Sequence, residues 1–219
     1  MTRWMTLFLA LLLSFSSAQA QKDNVVFNWA FGAMVNGGKD FRLITRDTTL
    51  NSGDYMKMVV ELKSPCFVYV VYRDAKDAIS ILYPYDTKQF AGEFDQGKNY
   101  FIPAGRTWFQ LDDTKGKERI YLIASNEKLT DLEKLIVDYE NAIPVRKTAA
   151  ADAVVNGIRD LRKRFTTFAT TAERPISIGG NVRGAAETKA RAGFPDLSNF
   201  MTEIRAVNFY SKTFTIDHK

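Results

Sequence analysis

The chain has 219 residues, 46% of them hydrophobic, with 30 basic against 25 acidic side chains and a formal net charge of +5. That is enough apolar material for one domain with a sizeable core, and no internal repeat or low-complexity tract interrupts it. With one cysteine and one histidine, an intrachain disulfide framework and a zinc site built from Cys and His are both excluded by count.

Residues 1–20 have the layout of a secretory signal: Arg3 near the front, an apolar run over residues 5–13, then Ser14, Phe15, Ser16 and Ser17 before the small-residue site Ala18-Gln19-Ala20. The run falls well short of the roughly 20 residues that a spanning helix needs. Cleavage is expected after Ala20, with no cysteine there to carry a lipid anchor and no later apolar stretch long enough to cross a membrane. The expected product, residues 21–219, loses Arg3 and no acid, so it carries +4. Its expected location is periplasmic or extracellular.

Large residues at Val25, Phe27, Trp29 and Phe31 alternate with Val26, Asn28 and Ala30, which predicts a strand closed by Gly37-Gly38. A weaker strand is expected over residues 41–45, then a turn at Asn51-Ser52-Gly53-Asp54. Over residues 56–63, Met56, Met58, Val60 and Leu62 oppose Lys57, Glu61 and Lys63, as in a half-buried strand interrupted only by Val59. Residues 66–72 are apolar on both faces and rich in β-branched and aromatic side chains, which suits a central strand covered twice. A polar turn at Asp74-Ala75-Lys76-Asp77 leads into Ile79, Ile81 and Tyr83, and Pro84 ends that strand. After an aromatic loop, short strands are expected at 99–103, 107–112 and 119–125, with Asp113-Thr114-Lys115-Gly116 as a hairpin turn between the last two.

The period then changes to 3.6. Thr130 and Glu133 fit a capping box, and Leu132, Leu135, Ile136 and Tyr139 share a helical face that Pro144 terminates. A second helix follows, with a stripe of Val154, Ile158, Leu161, Phe165 and Phe168 opposite Arg159, Arg162 and Lys163. Residues 170–198 hold no sustained period and several glycines and prolines, which predicts an irregular excursion. Residues 201–209 and 212–217 read as a final strand pair with Phe214 and Ile216 pointing inward. The fold class is therefore a mainly antiparallel β-sandwich with a two-helix insertion before the C-terminal strands, α+β overall. We expect one domain over 21–219, its core at about 50–132, the insertion at about 130–198 and the last strands at 200–217.

Leu50-x-x-Gly53-Asp54, the strand Phe67-Val68-Tyr69-Val70, Leu82-Tyr83-Pro84, Phe101-Ile102-Pro103 and the run over 116–125 followed by Leu129 resemble, in order and spacing, the bacterial family called domain of unknown function 4384. The resemblance covers residues 50–132. It implies an accessory β-rich module of envelope or signalling proteins and assigns no activity or functional residue. The family's usual glycine before the Leu-Tyr-Pro strand is replaced by Lys76-Asp77.

For chemistry, His218 stands one residue from the C-terminus, where chain ends usually fray, so it is a poor candidate base. Cys66 opens the most apolar strand and is expected to be an inert, unpaired core residue. The glycines at 179–184 lack the Lys-Ser/Thr ending of a phosphate loop. Asp86, Glu93, Asp95, Asp112 and Asp113 lie in or beside loops with Tyr85, Phe94 and Trp108, a set that could serve a carbohydrate-active or carbohydrate-binding protein. Solvated loop acids over a sandwich core are the plainer reading. Residues 146–191 hold ten basic side chains against four acids, so Arg159, Arg162 and Lys163 are candidates for docking on an acidic partner.

The expectation is thus a non-catalytic module mediating protein interaction in the bacterial envelope, without cofactor or metal. Its partner would be an envelope protein or an anionic surface rather than nucleic acid. Intact mass of the exported protein should place its first residue at Gln21; an unprocessed Met1 start would contradict the signal reading.

Overall fold

The computed structural model describes residues 24–92, 94–168 and 193–219. The expected leader, Glu93 and residues 169–192 of the irregular excursion lie outside that set. Among the described residues the strands are β1 (Asn24–Val35), β2 (Asp40–Leu43), β3 (Thr48–Leu50), β4 (Tyr55–Leu62), β5 (Phe67–Arg73), β6 (Ile79–Tyr83), β7 (Asn99–Ile102), β8 (Phe109–Gln110) and β9 (Gly116–Ser125). Helices α1 (Thr130–Glu140) and α2 (Pro144–Phe168) come next, then β10 (Thr202–Val207) and β11 (Phe209–His218).

They form two sheets. In the first the order is β10-β1-β4-β7, with β2 also paired to β1 and β8 to β4; in the second it is β3-β11-β9-β5-β6. Every pairing is antiparallel except β3 on β11. The protein is therefore mainly β with a helical pair placed before the last strands, as the periodicities predict.

The main core lies between the sheets, where Phe27, Phe31 and Met58 face Val70, Ile120, Leu122 and Phe214. A second apolar layer joins the outer face of the second sheet, through Tyr69, Val71 and Ile123, to Leu132 and Ile136 of α1 and Val154, Ile158 and Leu161 of α2. Phe165 packs against this layer and stacks on Phe209 at 4.4 Å; the Phe168 side chain lies outside the description. Strand β5 is thus covered twice, its residues alternating between the two layers with Val70 and Val71 both fully buried. Burying each such valine contributes about 1.5–3 kcal/mol.

Four expectations are corrected. Strand β4 is buried on both faces rather than half-buried, because Leu197 from the 3₁₀ turn Leu197–Phe200 packs on Val59 and Ala30 outside the first sheet. Lys57, on that outer face, survives burial by donating from Nζ to the carbonyls of Pro103, Gly105 and Thr107. Strands β8 and β9 are not a hairpin, since β8 pairs with β4 and β9 with β5 and β11. The last two strands also part company, β10 joining β1 and β11 joining β9. Finally, Leu129 rather than Thr130 precedes α1 without a side-chain cap. Glu133 is drawn away from capping by Tyr69, whose hydroxyl donates to its Oε1 at 2.7 Å.

Val70→Asp should abolish cooperative folding, because an unpaired carboxylate in this layer costs several kcal/mol against a total stability of about 5–15 kcal/mol. A soluble variant that melts at the wild-type temperature would contradict the two-sided burial of β5.

Candidate functional site

Two polar turns approach each other at one edge of the sandwich. In the first, Asp74 Oδ1 accepts the backbone N–H groups of Lys76 and Ala78 at 2.8 and 2.7 Å, and Asp77 takes a left-handed φ of 66°. That is the turn in which Lys76-Asp77 replace the expected glycine, and Asp tolerates this region better than most residues. In the second, Asp112 Oδ1 accepts the N–H of Thr114 at 2.7 Å, a bond that holds the Asp112 carboxyl below its ordinary pKa. Gly116 follows at φ 147°, and a Cβ there would stand 2.8 Å from that of Ala75, so the close approach of the turns requires glycine.

Between them opens a cleft of about 330 Å³, near the lower end of the roughly 300–1,000 Å³ of small-molecule sites. Met56 and Met58 of β4, Leu82 of β6, Leu111 just after β8 and Ile120 of β9 supply its apolar lining. Tyr72 of β5 and Glu118 of β9 supply polar groups, and Asp74, Lys76, Ser80 and Asp112 stand toward its mouth. The two-residue strand β8, paired to this part of β4, borders the cleft through Phe109 and Gln110.

Glu118 is 3% exposed. Its Oε1 meets His218 Nδ1 at 2.9 Å, while its Oε2 is buried without a hydrogen-bond partner among the described residues. An unpaired buried acceptor costs about 1–3 kcal/mol, and more when charged. Burial, with the Glu118 carboxylate beside it, pushes the Tyr72 hydroxyl above its ordinary pKa.

His218 is buried at 2% exposure and does not fray. Strand β11 runs between β9 and β3, with His218 opposite Gly116 on one side and Leu50 on the other. The N–H of Lys219 donates to the Leu50 carbonyl and that of Ser52 to the Lys219 carbonyl, both at 2.9 Å. His218 Nε2 lies 3.1 Å from Ser52 Oγ. Ser52, His218 and Glu118 therefore form a hydroxyl–imidazole–carboxylate line, the arrangement that activates a serine nucleophile in hydrolases.

An oxyanion would need free N–H donors beside that hydroxyl. Those of Ser52, Gly53 and Asp54 are already given to the carbonyls of Lys219, Leu111 and Asn51. The Ser52 hydroxyl also lies 3.3 Å from the Lys219 carbonyl. The line clasps the terminal strand.

The residues singled out by sequence are dispersed. Tyr85 and Phe94 pack with Tyr83 and Tyr100, and the Tyr85 hydroxyl donates to the Phe101 carbonyl at 3.0 Å. Trp108 lies on the outer face of the first sheet, edge-on to Phe194. Asp86 caps the 3₁₀ turn Thr87–Ala91, and Asp95 stands 3.5 Å from Lys98; of the loop acids among the described residues, only Asp112 lines the cleft. Arg159, Arg162 and Lys163 are exposed on α2, where Arg159 meets Asn156, Lys163 meets Asp160 and Arg162 reaches Thr213 of β11. Cys66 is buried and unpaired, and burial pushes its thiol upward in pKa. Among the described residues no group of His, Cys, Asp and Glu is arranged to hold a metal ion, and no helix is long and apolar enough to cross a membrane.

Residues 49–128 match the family model described as Domain of unknown function (DUF4384). The match spans β4 to β9 and every element that lines the cleft. Comparison with curated proteins and with solved structures returns no match.

If the Ser52–His218–Glu118 line is a clasp, its members should matter unequally. His218→Ala takes from the buried Glu118 the hydrogen bond on its Oε1 and should lower unfolding free energy in urea by about 2–4 kcal/mol. Ser52→Ala removes one half-exposed hydroxyl and should cost about 1 kcal/mol or less. Equal losses would contradict the clasp.

Proposed function

The chain carries a DUF4384 segment at its centre, and from that premise we propose that it is a non-catalytic binding module working in the bacterial envelope, on the periplasmic or outer side. The observation that carries this reading is the commitment of the amides around Ser52: the one hydroxyl–imidazole–carboxylate line among the described residues has its neighbouring N–H donors bonded to carbonyls. Such a line can hold a strand, but it offers a developing oxyanion no support. A fluorophosphonate probe should accordingly leave Ser52 unlabelled in the folded protein. Labelling that disappears in Ser52→Ala would contradict the reading.

The partner surface we assign is the basic face of α2. Arg159, Arg162 and Lys163 project to solvent from a helix whose opposite stripe is anchored in the second apolar layer, so their charge can be reversed without disturbing the core. The triple change Arg159→Glu, Arg162→Glu, Lys163→Glu should leave melting within about 2–4 °C of wild type and release the protein from the envelope fraction, and added salt should weaken wild-type association. Salt-insensitive association retained by the triple variant would rule this face out. The carbohydrate reading has less support, since Tyr85, Phe94 and Trp108 are spent in packing.

A further inference from the structure

One atom in the wall of the cleft is used neither by the packing of the core nor by the clasp. Glu118 Oε2 makes no hydrogen bond among the described residues, although the Tyr72 hydroxyl stands beside the carboxylate, while Oε1 is already held by His218. Other buried polar atoms also lack partners, among them Trp29 Nε1 and Tyr83 Oη, but of these residues only Glu118 lines the cleft. The lining acids Asp74, Asp112 and Glu118 outnumber the single base, Lys76, and Lys76 is exposed at the rim. Asp74 and Asp112 have oxygens committed to their own turns, which leaves Glu118 as the deep acceptor. Met56, Met58 and Leu82 line the same cleft, a surface suited to methylene groups.

We propose that this cleft binds a primary ammonium group at the end of a short aliphatic chain, with the ammonium donating to Glu118 Oε2 and the chain lying over the two methionines and Leu82. The occupant is supplied either as a free alkylamine or as a lysine side chain of a partner protein. Its chemistry is set by the site: the buried end offers a carboxylate oxygen with no hydrogen bond of its own, the walls are apolar, and the surrounding charge is negative. The proposal rests on the reading above that the module binds rather than catalyses, and extends it to a second surface distinct from the face of α2.

The test is calorimetric titration of the intact protein with n-hexylamine, with n-hexanol as its neutral counterpart, and with Nα-acetyl-lysine N-methylamide as the peptide-borne form. Hexylamine should bind saturably and about tenfold or more tighter than hexanol, because the charge-assisted bond exists only for the amine. Glu118→Gln keeps the shape of the side chain and should lose that preference with melting retained. Should Glu118→Gln fail to fold, Ser80→Trp, at an exposed rim position, should block the cleft and abolish amine binding with Glu118 intact. Saturation by the lysine amide as well as hexylamine indicates a protein-borne occupant, and saturation by hexylamine alone a free amine; both support the site. Equal affinity for hexylamine and hexanol, no saturable amine binding, or unchanged binding in Ser80→Trp would overturn it. Fluorophosphonate labelling of Ser52 alongside saturable amine binding would sink the non-catalytic reading and support this one.

Discussion

Strand β5 is apolar on both faces, and that one fact dictates the layering of the molecule. Val68 and Val70 enter the core between the sheets, while Tyr69 and Val71 leave an equally apolar surface on the far side. A sheet with two apolar faces needs two covers, and the second cover is the helical pair that follows β9. Its attachment is polar as well as apolar. The Tyr69 hydroxyl donates to Glu133 and accepts the N–H of Leu129 at the start of α1, and the Tyr139 hydroxyl accepts the N–H of Ile79 at the start of edge strand β6. The helices thus cover the sheet and satisfy backbone groups that burial would otherwise leave unpaired.

A second constraint acts at the opposite side of the same sheet. β11 is inserted between β3 and β9, so residues about 100 positions apart in sequence, Glu118 and His218, share one buried hydrogen bond. In low dielectric such a bond is strong, and each unfilled valence beside it is costly. The clasp sets the position of Glu118, and the cleft opens in front of it between the two turns. Cleft and clasp are two consequences of one side chain facing both ways.

What could be read from the sequence was local. The two-sided character of residues 66–72 and the stripe Val154, Ile158, Leu161, Phe165 depend on spacing within one element, and both stripes pack as their periods require. Features set by distant partners were not legible. Thr130 and Glu133 have capping-box spacing, yet a tyrosine on β5 takes the glutamate. Residues 201–217 read as a pair, yet β10 and β11 close different sheets. His218 looked like a frayed end because nothing nearby in sequence announces the parallel ladder with Thr48–Leu50. The cleft draws its lining from β4, β5, β6, β8, β9 and two turns, so no contiguous motif could mark it. One signal was available: Lys76-Asp77 in place of glycine marked the turn at its rim, and Asp77 meets the demand with a positive φ.

The central claim is that the helical pair is an obligatory second face of the sheet rather than an appendage. Native-state hydrogen exchange measured as a function of denaturant at Val70 and Ile123 in the sheet and Val155 and Ile158 in α2 tests it most directly. The account predicts that all four amides exchange through the same global opening, with one free energy and one denaturant slope. Exchange of the α2 amides through a separate, lower-energy opening, while Val70 and Ile123 stay protected, would contradict it.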